Sequence, residues 1–364
     1  MHPKVSIVIP VYNVSQFLRP CLDSVINQTL QDIEIIIVND GSTDNSLEIA
    51  QEYAEKDSRI IIINKANAGY GHTMNRGFER ARGEYIGIVE SDDIARPEMF
   101  EKLYAQAVQN NAEVVRSNYF AMSGNGSAFN VIDVLTLAKA PYYTAFNPAD
   151  YPGVLLGSPA IWTSIFKNSF IKEHQITFLE SPGASYQDTG FLLKVWAAAE
   201  KVVFMREAFL NYRVDNANSS VKSGAKVFCV SDEYESFEKF LAKYPKRREA
   251  LKFQLQAKKY ETYLWNYNRL DTPLKPSFRK LMHEQFAAAH DANELDSSLF
   301  SPVEWDDLQT VIHNPDSLGD KQLAVAPIEL DVREHQKTIQ VNDRSPFAAK
   351  AFRKIKRIVK RIRG

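Results

Sequence analysis

Five short aliphatic runs punctuate the first 120 residues: Val5 to Ile9, Ile33 to Val38, Ile60 to Ile63, Tyr85 to Val89 and Glu113 to Ser117. Most are apolar almost throughout, which suits strands covered on both faces rather than strands with one wet face. Helix-like stretches separate them: Ser15 to Gln28, Asp44 to Lys56, Gly71 to Arg82, and Pro97 to Asn110, where Pro97 suits a first helical turn. This rhythm predicts an α/β fold, a mainly parallel sheet with right-handed crossovers and helices on its faces. Ligands of such sheets bind beyond the carboxyl ends of the strands.

Beyond residue 120 the pattern changes. Residues 121–224 are irregular, with prolines at 141, 148, 152, 159 and 182, and are expected to complete a domain of residues 1–224 by laying loops over its site. Residues 225–314 turn helical, with Tyr234, Phe237, Phe240 and Leu241 on one face and Phe253, Ala257, Tyr260 and Leu264 on another. They read as a small helical domain, followed by an irregular linker (315–346) and a basic tail (347–364). A composition of 45% hydrophobic and 24% charged residues excludes a disordered chain. Cys21 and Cys229 are too few for a disulfide framework or a four-cysteine zinc site. No run approaches the roughly 18 apolar residues of a membrane span, and no signal peptide is read, so a cytoplasmic location is expected.

Four polar clusters follow the predicted strands: Pro10-Val11-Tyr12-Asn13, Asn39 to Asp44, Asn64 to His72, and Glu90-Ser91-Asp92-Asp93. A parallel sheet gathers such loops on one edge. Each alone is compatible with turn chemistry. The acidic cluster is the most informative, because three carboxylates within four residues repel one another unless a cation or donor hydrogens compensate. Mg2+ or Mn2+ does this with oxygen ligands, often one or two carboxylates plus substrate phosphates, which points to a nucleoside diphosphate. An acidic turn capping the next helix is the structural alternative. No Gly-x4-Gly-Lys-Ser/Thr loop exists and no Gly-x-Gly-x-x-Gly follows the first strand, which argues against a P-loop ATPase and a dinucleotide-dependent dehydrogenase.

Val5-Ser-Ile-Val-Ile-Pro-Val-Tyr-Asn13, Val38-Asn-Asp-Gly-Ser-Thr-Asp44, Asn67-Ala-Gly69, Asn75-Arg-Gly77 and Glu90-Ser-Asp-Asp93 stand in this order. In this the chain resembles the family 2 glycosyltransferases, over about residues 4 to 220. The resemblance implies a GT-A type nucleotide-binding domain. It also implies that Pro10, Val11, Tyr12, Asn13 and Asp40 hold the base of a nucleotide-sugar donor, with Lys65, Asn67, Gly69, Asn75, Ser91, Asp92 and Arg213 completing the donor side. A divalent metal (Mn2+ or Mg2+) falls to Asp92, with Asp93 and Glu90 beside it. Tyr186 to Phe191 resembles the segment bearing the general base, which places that role on Asp188; a helix N-cap is the competing account. Trp162 and Gln187 fall on the acceptor side, although a Trp there is equally suited to a core. Three departures stand out: Glu90 where Asp is usual, Gln187 where Glu is usual, and Met74 where a basic residue is usual, leaving Lys65, His72 or Arg76 to take its place.

The tail concentrates charge. Residues 350–364 hold eight Lys or Arg and no acid, and the other 349 residues carry 36 basic against 45 acidic side chains. Phe352, Ile355, Val359 and Ile362 fall on one helical face, the pattern of an amphipathic helix on anionic lipid rather than of a nucleic-acid-binding tail. The expected function is inverting, metal-dependent transfer of a sugar, UDP-linked in the first instance, to a glycan or lipid-linked acceptor at the inner membrane face. The implied setting is assembly of a bacterial surface polysaccharide or cell-wall glycan. No nucleic acid partner is expected, and a homo-oligomer through the C-terminal region is left open. Two other readings stand beside it: an inactive sugar-nucleotide- or glycan-binding scaffold, and a nucleotidyltransferase, although the latter calls for a basic, Gly-rich loop that Pro10 to Asn13 lacks.

Overall fold

The computed structural model describes residues 3–124, 127–133, 135–216, 227–318 and 323. Strands β1 (Val5–Val11), β2 (Ile33–Asp40), β3 (Ile60–Lys65) and β4 (Tyr85–Ile88) form where the aliphatic runs predict them. Their side chains alternate between two apolar clusters, one on each face. Val8, Ile36, Val38, Ile86 and Ile88 join one cluster and Ile7, Ile9, Ile35, Ile37 and Tyr85 the other. Burial on both faces is why β1, β2 and β4 are continuous in apolar residues, whereas edge strand β3 is buried only at Ile60. Helices α1 (Ser15–Ile26), α2 (Ser46–Ala54), α3 (Tyr70–Arg80) and α4 (Met99–Asn110) connect the sheet. Helix α3 lies close on it, since a Cβ at Gly77 would stand 2.4 Å from a Val8 methyl.

Parallel pairing holds throughout β3-β2-β1-β4. Beyond β4 the sheet becomes mixed, in the order β3-β2-β1-β4-β8-β6-β9-β5 with β7 on β6. The short β8 (Ser164–Lys167) runs antiparallel between β4 and β6 (Val114–Ser123). The long β9 (Val202–Arg213) lies parallel to β6 and antiparallel to β5 (Ile94–Ala95), while β7 spans Ser127–Ile132. Because β5 directly follows the acidic cluster, that turn is pinned at both ends. Register aligns the strand ends on one edge: Asp40 faces Lys65, Asn39 faces Asn64, and Val8 faces Ile88.

Two short helices, α5 (Asn168–Glu173) and α6 (Gln187–Ala198), precede β9. Four more follow: α7 (Cys229–Leu241), α8 (Pro245–Arg269), α9 (Lys275–Asp291) and α10 (Pro302–His313). The predicted face of α7 is buried, as are Ala257, Tyr260 and Leu264 of α8, whereas Phe253 is only half-buried. Phe191 and Trp196 of α6 share one apolar cluster with Phe237 of α7 and Tyr263 of α8. The described residues all fall within one compact unit, which ends at Ala326. The sequence-read boundary at 224/225 and the tail at 347–364 lie outside the described residues, as does most of the linker at 315–346. Among the described residues no helix is long and apolar enough to cross a membrane.

Candidate active site

The loops after β1 and β2 are stitched together. Asn13, in a left-handed conformation (φ 52), accepts from the Thr43 amide at 2.8 Å and donates its own amide to Ser42 Oγ at 3.1 Å. Pro10 and Val11 are buried, whereas Tyr12 is 51% exposed. Asp40, at the end of β2, accepts from the amides of Ala68 (2.8 Å) and Gly69 (3.0 Å) and pairs with the Lys65 ammonium. Asn67 is exposed on the same loop. Gly69 has φ +92, and a Cβ there would lie 2.7 Å from Gly183 N and 2.8 Å from Ser181 O. The loop of residues 181–185 therefore rests on a position only glycine fits.

The acidic cluster forms a turn closed by the Asp93 amide donating to Glu90 O at 3.0 Å. Its three carboxylates face different ways. Asp92 is half-buried and accepts from Asn216 Nδ2 at 2.8 Å. Glu90 accepts from the Tyr70 hydroxyl at 2.6 Å. Burial pushes the Glu90 carboxyl up to about 8; the Tyr70 bond opposes this, and the charges of Asp92 and Asp188 reinforce it. Asp93 is fully buried, with one oxygen on the Arg213 amide (2.8 Å) and the other without a partner. Among the described residues no cluster of three or more His, Cys, Asp or Glu forms a metal cage. An all-oxygen set with crowded negative charge fits a hard divalent ion that takes one or two carboxylates from the protein and the remaining oxygens from phosphates.

Asp188 stands in the first turn of α6 and does not cap it: Tyr186 occupies the cap position. Its carboxylate accepts from the Thr189 amide at 2.7 Å. Burial raises the carboxyl to about 6 against the Thr189 bonds and the charge of Lys258. Glu90 and Tyr70 both feel the charge of Asp188, so a residue almost a hundred positions later closes on the acidic turn. Trp162, half-buried, stacks on Tyr212 (centroids 5.0 Å, 10°) with Tyr119 at its edge. Burial followed by the charges of Asp93 and Asp92 raises the Tyr212 hydroxyl, which places this aromatic stack beside the acidic turn.

Several expected site residues face inward instead. Asp93, grouped with the metal ligands by sequence, is fully buried and turns one oxygen to the Arg213 amide of β9. Asn75 uses its whole amide on Phe178 and Glu180, bracing the chain after α5 rather than meeting a donor. Gln187, expected on the acceptor side, is 1% exposed and donates to Ser181 Oγ (2.8 Å) and Gly183 O (3.3 Å). Arg213 donates to Asp92 O, Gly124 O and Asp215 and lies over the Phe17 ring, so it fixes the acidic turn. Ser91 and Met74 are also buried. Sequence reasoning missed Tyr70 and Asn216, and also Glu233 of α7, whose buried carboxylate has no partner and would strike a Cβ at Gly190. Only Tyr70 carried a signal, as the aromatic residue between Gly69 and Gly71.

A family model described as glycosyl transferase family 2 matches residues 6–159. The uncharacterized glycosyltransferase EpsJ of Bacillus subtilis (strain 168) is 34% identical over 221 residues, 60% of this chain and 63% of that protein. The chain thus spans under two thirds of EpsJ's length. An uncharacterized glycosyltransferase of Haemophilus influenzae is 31% identical over 192 residues, 52% of this chain and 71% of that protein. Residues 1–349 of S. aureus TarS, solved in complex with UDP-GlcNAc, share the fold at TM-score 0.52 and 17% identity, covering 85% of this chain and 90% of that one. The mannosyltransferase PcManGT of Pyrobaculum calidifontis, solved with GDP-Man and Mn2+, does so at TM-score 0.50 and 16% identity, covering 88% and 87%. By that family model and the Haemophilus influenzae relative, the chain belongs to glycosyl transferase family 2.

Proposed function

We propose that this protein transfers a sugar from a uridine diphosphate donor, with inversion, to a hydroxyl of a glycan or lipid-linked acceptor. The observation that carries this reading is the approach of Asp188 to the acidic turn with its carboxyl held near 6. Such a group is ionised at neutral pH and more basic than an ordinary aspartate, as a general base requires. Asp188 takes the proton of the acceptor hydroxyl as that oxygen bonds to the anomeric carbon and the bond from that carbon to the diphosphate breaks. The loops of Pro10 to Asn13 and Asp40 to Gly69 hold the nucleoside. A Mg2+ or Mn2+ ion on Asp92, with Glu90 beside it, would supply charge neutralisation for the diphosphate. Trp162 and Tyr212 offer an aromatic face for the acceptor's ring. TarS and PcManGT, with UDP-GlcNAc in one and GDP-Man and Mn2+ in the other, support a sugar nucleotide and a metal. The basic stripe of 347–364 supports an acceptor at an anionic membrane face.

The test is a panel of UDP-, GDP- and TDP-sugars titrated with and without Mn2+, followed by analysis of the anomeric configuration of the product. Metal-dependent binding of a UDP-sugar and an inverted product are expected. Binding of none would overturn the donor assignment, and a retained configuration would overturn the role of Asp188.

A further inference from the structure

The replacement of the usual aspartate by Glu90 has a partner elsewhere in the site. Tyr70 donates its hydroxyl to Glu90 Oε1 at 2.6 Å. An aspartate at position 90, one methylene shorter, would leave that hydroxyl beyond hydrogen-bond reach. The same residue's backbone amide donates to Gly183 O at 2.9 Å, and its ring stands edge-on to Phe178. Gly183 O also receives Gln187 Nε2, which adjoins Asp188 in sequence. On the other side, Gly69 N is held by Asp40.

We infer that Tyr70 is a positioning residue whose hydroxyl fixes the Glu90 carboxyl while its backbone amide holds the loop of residues 181–185, so that the diphosphate side of the site and the turn bearing Asp188 are tied through one residue. The inference rests on the donor reading above and extends it to a residue outside the motifs. Its geometry is specific: the phenol donates to one oxygen of the Glu90 carboxyl at 2.6 Å, while the amide of the same residue holds the loop.

Tyr70→Phe removes the hydroxyl and keeps the ring against Phe178. Calorimetric titration with UDP, GDP and TDP, each with Mn2+, is expected to show about tenfold weaker binding of whichever nucleotide the parent binds, in keeping with the loss of one hydrogen bond. Thermal melting reports folding separately. Glu90→Gln supplies the second arm of a double-mutant cycle. If Tyr70 acts through Glu90, adding Tyr70→Phe to Glu90→Gln weakens binding by less than twofold. Two losses that multiply, or a Tyr70→Phe variant that binds as the parent does, would overturn the inference while leaving the donor reading intact. A parent that binds none of the three nucleotides would overturn both.

Discussion

Asp188→Asn should cost activity and raise stability at once, and the two effects are linked by the same burial. A carboxyl held near 6 rather than at its ordinary 3.8 is one whose ionised form the folded protein disfavours. At 1.36 kcal/mol for each tenfold change in equilibrium, that gap amounts to a ceiling of about 3 kcal/mol. The sign follows from proton uptake. Between about 4 and 6 the folded state binds more protons than the unfolded one, so the parent loses stability as pH rises through that interval. Asparagine carries no such charge and its side-chain oxygen still accepts from Thr189. Melting of the two proteins should coincide near pH 4 and diverge in favour of the variant by pH 8. Transfer should run the other way, falling a hundredfold or more in the variant at pH 7.5 with donor affinity little changed. In the parent the ionised fraction is about a tenth at pH 5 and nine tenths at pH 7, so the acceptor kcat/KM should fall about tenfold between them. A variant no more stable than the parent at pH 8, or one that transfers at the parent's rate, would refute the account of a buried, strained base.

Asp92→Ala should abolish Mn2+-dependent donor binding and transfer, and full activity in EDTA would remove the metal from the scheme. Gly69→Ala should destabilise the fold by more than about 1 kcal/mol, since a left-handed position is filled and the new methyl meets backbone of the 181–185 loop; unchanged melting would show that the loop yields freely. Truncation after Asp343 should leave transfer to a soluble acceptor analogue intact while releasing the protein from anionic vesicles, toward which each Lys or Arg near the surface contributes about 1 kcal/mol; a truncated protein that still sediments with those vesicles would end the membrane assignment.

The sheet was legible where burial is symmetric. In β1, β2 and β4 both faces are covered, so the hydrophobic run is continuous and cannot be mistaken for a half-wet strand. The four-residue β8 gave no such signal, and without it the change from parallel to mixed pairing is invisible. The site divides along similar lines. Chain-local clusters such as Glu90 to Asp93 name their own loop, but residue type does not say which way a side chain turns. Asn75 and Gln187 are amides that suit a ligand or a brace equally, and here both brace. The Arg213 amide reaches one oxygen of Asp93, 120 residues away, because β5 pairs with β9. The acid between Glu90 and Asp93 that remains turned to the open side is Asp92, a distinction the motif alone cannot draw.

The base depends on more than its own loop. Asp188 is buried by packing of α6, and the strongest opposing charge is Lys258, which α8 supplies and Glu261 accompanies at 3.0 Å. On the next face of α6, Gly190 leaves just the space that Glu233 of α7 fills. Glu233 is itself raised to about 8 by burial, against Lys194, so it adds little negative charge near Asp188 at neutral pH. A positive group from α8 therefore acts on the carboxylate that the mechanism needs ionised, while the acid from α7 opposes it little. The helices after β9 are thus part of the electrostatic environment of the proposed base, and substitutions in them can move its ionisation without touching either substrate.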